Sequence, residues 1–271
     1  MKHSATYIAL IFLVLISSCA QVPLTGRSQL SLVDDAALQT ESVKAYQSFL
    51  SDPSTKVISN GKDAQSVQTV GNRLANAINR YLKANGFGNK YDFDYKFTLV
   101  KSEEINAWCM PGGKVAVYSG ILNVTQGDQG LATVMGHEIA HAIARHAAER
   151  YSQMTVAQTG GGLVGLAVGN KSQATQKVVS QLYGLGGQLA ILKYSRNQES
   201  EADRLGLIFM AMAGYNPDQA VLFWERMAVA KQGNGASPEF LSSHPSDASR
   251  IAAIKKLLPE ARKFYSGARL K

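Results

Sequence analysis

The chain has 271 residues, 45% of them hydrophobic, which supports a full core in one domain, or in one domain with an appended segment. Its formal charge of +8 comes from scattered Lys and Arg, with only a mild cluster at Lys255, Lys256, Arg262, Lys263, Arg269 and Lys271. No nucleic-acid module or basic–aromatic platform is present, so nucleic acid is excluded as a partner, and attraction to an anionic membrane surface or an acidic protein is the milder reading of the charge.

The first residues read as a secretion address. Met1-Lys2-His3 is a short basic start, Tyr7 to Ile16 is an unbroken apolar run, and Ile16-Ser17-Ser18-Cys19 matches a lipobox. The run is too short to span a bilayer as a permanent helix. Residues 1–18 are therefore expected to be a lipoprotein signal peptide, and residues 19–31 a tether anchored by lipid on Cys19. Several acyl chains on one residue give lasting anchorage. Ala20, in place of Asp, favours the outer membrane by resemblance to bacterial lipoproteins, which implies its periplasmic face. Cys109 is the one other cysteine. With Cys19 acylated no intrachain disulfide can form, and Cys109 reads as a small buried hydrophobe, with an intermolecular disulfide as the minority alternative.

Residues 32–271 read as one α+β domain, mostly helical with a small antiparallel sheet. A helix should run from Asp34 to about Leu50, with Asp34 and Asp35 at its positive end. Val67, Val70, Leu74, Ala77, Ile78 and Tyr81 recur at helical spacing, and Gly86 ends that element. Tyr91, Phe93, Tyr95, Phe97 and Leu99 then alternate with polar residues, the pattern of a half-buried strand. Ile105–Cys109 and Lys114–Ser119 flank Pro111-Gly112-Gly113, a hairpin signal. A helix follows from about Gln129. The segment 159–187, rich in Gly and small apolar residues, reads as two short helices joined by loops, or as a lid. Helices at 198–213, 217–231 and 246–257 complete the chain.

Chemistry is concentrated in His137-Glu138-Ile139-Ala140-His141. Residues four apart on a helix share a face, so the two imidazoles point at one spot and can grip one metal ion. Glu138, turned by ~100°, reaches a water on the metal but not the metal itself. Two ligands, an adjacent base and an open position are what zinc-dependent peptide hydrolysis needs. On the helix 198–213, Glu199 and Asp203 also stand four apart, while Glu201 projects roughly 200° away from Glu199. That spacing makes Glu199 the third ligand and Asp203 the carboxylate that accepts a ligand histidine's other N–H.

H-E-x-x-H followed by E-x-x-A-D resembles the gluzincin metallopeptidases of the CAAX prenyl protease and HtpX family, and more narrowly their periplasmic lipoprotein branch, the BepA-like proteases. Thr25-Gly-Arg-Ser-Gln-Leu-Ser-Leu32, Asn106-Ala-Trp-Cys-Met-Pro-Gly-Gly113 and His244-Pro-Ser-Asp-Ala-Ser-Arg250 agree with it, so the likeness runs from about Pro23 to Leu258. It implies a zincin-type fold, one Zn(2+) per chain on His137, His141 and Glu199, with Glu138 as general base and Asp203 as the acid that supports the ligands. It also implies clients among unfolded or mis-assembled envelope proteins, stalled β-barrels included, and the outer-membrane assembly machinery as a partner.

The resemblance brings His244 close to the metal. There it either fills the fourth zinc position and holds the enzyme latent, or assists catalysis, or merely caps a helix in solvent. Arg250 would face the developing oxyanion or a substrate carbonyl, or lie on the surface. Strand Lys114–Ser119 would hold an extended substrate by strand addition, unless it is an ordinary sheet edge. The expected activity is that of a zinc metalloendopeptidase in envelope quality control. The alternative is an envelope chaperone or binding lipoprotein with an idle or latched zinc site. Structural zinc sites are normally closed by four Cys or His ligands, whereas two His and a carboxylate leave a position open.

Overall fold

The structure, a computed structural model, describes residues 19–88, 90, 91, 93–159, 194–232, 239–244 and 248–265. The expected signal peptide and the Gly-rich stretch 160–187 lie outside them. Residues 19–31, expected as a tether, form a hairpin instead. Strands β1 (Cys19–Gln21) and β2 (Ser28–Leu30) pair antiparallel. Val22 is buried, and Arg27 ties the hairpin to the domain through two carboxylates.

Asp34 caps α1 (Asp35–Ser51), its side chain accepting the Ala37 amide at 2.8 Å, so four-residue spacing starts where the sequence signals it. A two-residue strand, β3 (Val57–Ile58), precedes α2 (Lys62–Ala84), whose buried Val67, Val70, Leu74 and Ile78 form one apolar face. Next come β4 (Lys96–Val100), β5 (Ala107–Met110) and β6 (Lys114–Tyr118). The sheet order is β3-β4-β6-β5, with β4 and β6 parallel and the other pairs antiparallel. The sheet is thus mixed, not antiparallel, because the chain crosses over between β4 and β6. Alternation splits its side chains. Phe97, Leu99, Val115 and Val117 join the main core with α2, while Val100, Trp108, Met110 and Ala116 face Tyr46 and Phe49 of α1.

Alternation from Tyr91 to Leu99 does bury Tyr91, Phe93, Phe97 and Leu99, but the ladder starts only at Lys96. Its partner β6 begins at Lys114, opposite Lys96, so earlier residues have no neighbouring strand to pair with.

After two short turns, Ser119–Ile121 and α3 (Leu122–Thr125), the buried helix α4 (Asp128–Ile143) runs through the centre. It is followed by α5 (His146–Thr159), α6 (Arg196–Met212), α7 (Gln219–Gln232), α8 (Glu239–Ser243) and α9 (Ala248–Ala261). Ser195 and Gln198 start α6 with a reciprocal capping box. Among the described residues, no helix is long and apolar enough to cross a membrane.

Candidate metal centre

Helices α4 and α6 approach to backbone contact. A Cβ built on Gly206 would lie 2.9 Å from the His137 amide nitrogen, and one on Gly136 would lie 3.1 Å from the Gly206 carbonyl oxygen. Two glycines facing each other let α6 lie close enough for a short carboxylate to reach the histidines of α4. His137, Glu138, His141, Glu199 and Asp203 are all buried there, and His244, at the end of α8, is buried with them.

One donor atom each from His137, His141, Glu199 and His244 lies within 4.8 Å of the others. His141 Nε2 is 3.1 Å from His137 Nε2, and His137 Nε2 is 3.2 Å from His244 Nδ1. Glu199 Oε1 is 2.9 Å from His244 Nδ1 and 3.4 Å from His141 Nε2. These four of the six separations, 2.9 to 3.4 Å, lie near the ~3.3 Å edge expected for N and O ligands ~2.0 Å from a zinc ion, so the donor set fits one. The chemistry also fits. His137 Nδ1 stands 3.0 Å from Asp203 Oδ1, and a carboxylate there can only accept. The proton is therefore on Nδ1, and Nε2 presents a lone pair to the cluster.

Burial pushes His137 and His141 below the usual imidazole range, which keeps them neutral and able to ligate. Burial also opposes ionisation of Glu199, but His244 and His141 outweigh it and hold that carboxyl well below the ordinary range. Glu138 does the opposite. Burial raises it to about 7, with the Glu199 charge adding to the effect and His244 opposing it. Its Oε1 is buried without a hydrogen-bond partner, 3.5 Å from His244 Nε2. A carboxyl half-ionised near neutrality, with a lone pair unspent, suits proton transfer.

The expected residues thus converge, with two corrections. Arg250 does not point at an open position. Its Nε and Nη2 donate to Asp203 at 2.8 and 2.7 Å, its Nη1 lies 3.0 Å from Glu199 Oε2, and its guanidinium stacks 3.6 Å over Trp224. It neutralises two buried carboxylates and so positions the site. Second, β6 lies between β4 and β5, so the sheet edge beside the site is β5. That edge packs against α4, the helix that carries Glu138, and the Cys109 backbone is a minor influence that lowers the Glu138 carboxyl. A cleft lined by Leu38, Tyr91, Cys109, Pro111, His141 and Tyr194 among others runs alongside. Cys109 is half-buried in the wall of the cleft, not fully buried as expected, and desolvation raises its thiol well above the usual value.

Sequence reasoning passed over His146 and Tyr194. His146 is fully buried against His141, and Tyr194 stacks on the His141 ring with centroids 4.1 Å apart. Glu201 does project away from the cluster, as its register requires, but into His146 and not into solvent. The extra His in His141-Ala-Ile-Ala-Arg-His146 was the available signal.

The model of Peptidase family M48 matches residues 62–258. The mitochondrial metalloendopeptidase OMA1 of Schizosaccharomyces pombe is 33% identical over 189 residues, 70% of this chain and 53% of the relative. The mitochondrial metalloendopeptidase OMA1 of Bos taurus is 29% identical over 252 residues, 89% and 46%. The β-barrel assembly-enhancing protease of Yersinia pestis is 30% identical over 193 residues, 69% and 37%. The chain spans about half the length, or less, of these curated relatives. Mitochondrial and bacterial relatives are similar to it to about the same degree, so the match supports the metallopeptidase expectation without singling out the bacterial branch.

Proposed function

The chain belongs to peptidase family M48, and on that premise we propose that it is a zinc-dependent endopeptidase of the cell envelope. The observation that carries the reading is the buried convergence of His137, His141 and Glu199 with Glu138 beside them. Those three residues would hold a zinc ion, which when bound would supply the charge that polarises a scissile carbonyl and makes a water acidic. Glu138 takes the water's proton and delivers it to the leaving amine. Asp203 keeps the His137 proton on Nδ1, and Arg250 keeps Asp203 and Glu199 ionised and in place.

An extended substrate pairs with edge strand β5, whose backbone lies against Glu138, and projects side chains into the adjoining cleft. Recognition through backbone favours unfolded or mis-assembled segments, and the names of the bacterial relatives favour clients in outer-membrane assembly. The lipobox reading of Cys19 puts the chain on the periplasmic face of the outer membrane. His244 supports a latent resting state. Its Nδ1 gathers with donor atoms of His137, His141 and Glu199, where it would hold the position that a substrate needs.

The test is zinc stoichiometry and cleavage of an unfolded protein by the processed chain. Glu138→Gln should keep zinc and lose about 10²-fold or more of the activity. Glu199→Ala or His141→Ala should lose both. Full activity in Glu138→Gln would remove Glu138 as base.

A further inference from the structure

We propose that the N-terminal hairpin is a positioning element of the metal centre, acting through Arg27, Glu201 and His146 on the ligand nitrogen of His141. The proposal rests on the zinc-site reading above and concerns residues outside the set that touches the ion. The family match begins at Lys62, so the hairpin lies ahead of it.

Helix α4 ends at Ile143, and Arg145 takes a left-handed φ of 56° before α5 begins at His146. In an unbroken helix His146, five residues on from His141, would point ~140° away from it. The break at Arg145 folds it back instead, so that the two Nδ1 atoms are 2.8 Å apart. A non-glycine residue in this region is strained, so something must hold it. Arg145 is held by Ser31 at 2.8 Å and by Asp35, both in the N-terminal stretch.

The hydrogen bonds run one way. His146 Nε2 lies 3.0 Å from Glu201 Oε2. The carboxylate can only accept, so the His146 proton is on Nε2 and its Nδ1 carries a lone pair. That lone pair accepts from His141 Nδ1–H, which leaves His141 Nε2 as the lone pair facing Glu199 and His137. A ligand histidine oriented through its other nitrogen is general, but here a second histidine stands between it and the carboxylate. Glu201 is fixed in turn by the hairpin. Thr25 Oγ1 donates to its Oε1 at 2.6 Å and Arg27 Nε to its Oε2 at 2.8 Å. The Arg27 terminal nitrogens reach Glu149 of α5 at 2.6 and 2.9 Å, and Glu149 accepts from Gln198 of α6 at 2.9 Å. One arginine thus joins the helix carrying His146 to the helix carrying Glu199.

The test reads zinc affinity by competition with a chromophoric chelator on the full processed chain, with thermal unfolding of the zinc-free protein confirming that each variant is folded. His146→Leu should weaken zinc by about 10- to 100-fold, as loss of an outer partner does. His146→Asn, whose Oδ1 falls near the place of Nδ1 and can accept, should recover most of it. Arg27→Ala should weaken zinc by about 3-fold or more, since it acts one step further out. If Arg27→Ala does not fold, Thr25→Val removes only the hydroxyl, which donates to Glu201 and accepts from the Arg27 amide, and should shift affinity in the same direction. His146→Leu with wild-type affinity would overturn the relay. A folded Arg27→Ala or Thr25→Val with wild-type affinity would overturn the hairpin's part in it. A wild type that binds no zinc would remove the metal reading itself, an outcome distinct from unchanged variants.

Discussion

Gly206 lies against the backbone of His137, closer than any side chain allows. The contact sets the distance between the helix that carries two of the proposed ligands and the helix that carries the third. Gly206→Ala must therefore push α6 away from α4. We expect a loss of about 1–3 kcal/mol in stability, in the range of core overpacking, together with weaker zinc binding. Denaturant unfolding and metal competition on the same variant check both. Wild-type zinc affinity would show that the cluster tolerates helix separation.

His244→Ala separates two roles. As a latch, its removal leaves zinc bound and activity on an unfolded protein equal or higher. As a transition-state contributor, its removal costs about 10²-fold or more. No change in activity, zinc affinity or stability would dismiss both.

Arg250 is argued to neutralise Asp203 and Glu199, not to contact substrate. Arg250→Ala then strands two buried carboxylates, and the zinc-free protein should lose about 3–5 kcal/mol. Equilibrium unfolding measures it. A variant of unchanged stability with a large loss in kcat alone would return Arg250 to the oxyanion role.

Glu201 gives a pH signature. Burial opposes its ionisation, but hydrogen bonds from His146, Arg27 and Thr25 outweigh burial and lower it from 4.5 to about 2. A depressed folded-state value stabilises the protein above the unfolded value and is lost on acidification towards the folded one. Wild-type zinc-free protein should therefore lose this contribution as pH falls from about 4.5 to about 2. Glu201→Gln should be less stable at neutral pH and flatter across that window. Melting temperature against pH for the two proteins decides it, and parallel curves would refute the assignment.

Much of the site was legible because helical geometry is local. Two histidines four apart share a face, and so do Glu199 and Asp203, whatever surrounds them. The same rule turned Glu201 away from the cluster. The Asp34 cap and the Pro111-Gly112-Gly113 turn were equally local, whereas the Ser195 cap, which starts α6 at Arg196 and not at Gln198, was passed over. Burial by alternation was legible too, since Tyr91 and Phe93 are buried even where no strand forms. Pairing was not. A strand needs a neighbour, and which neighbour it finds depends on how the chain crosses over. Hence the sheet is mixed, β6 is interior, and the edge beside Glu138 belongs to β5. Long-range partners of charged groups were equally hidden. Nothing near Arg250 says that it meets Asp203 and Glu199, and nothing near Arg27 says that it joins Glu201 to Glu149. The sequence by itself determined the types and spacing of the candidate ligands and base. Only the tertiary structure decided which buried charges neutralise one another. Desolvation makes that pairing obligatory but leaves the partner to whatever residues the fold brings within reach.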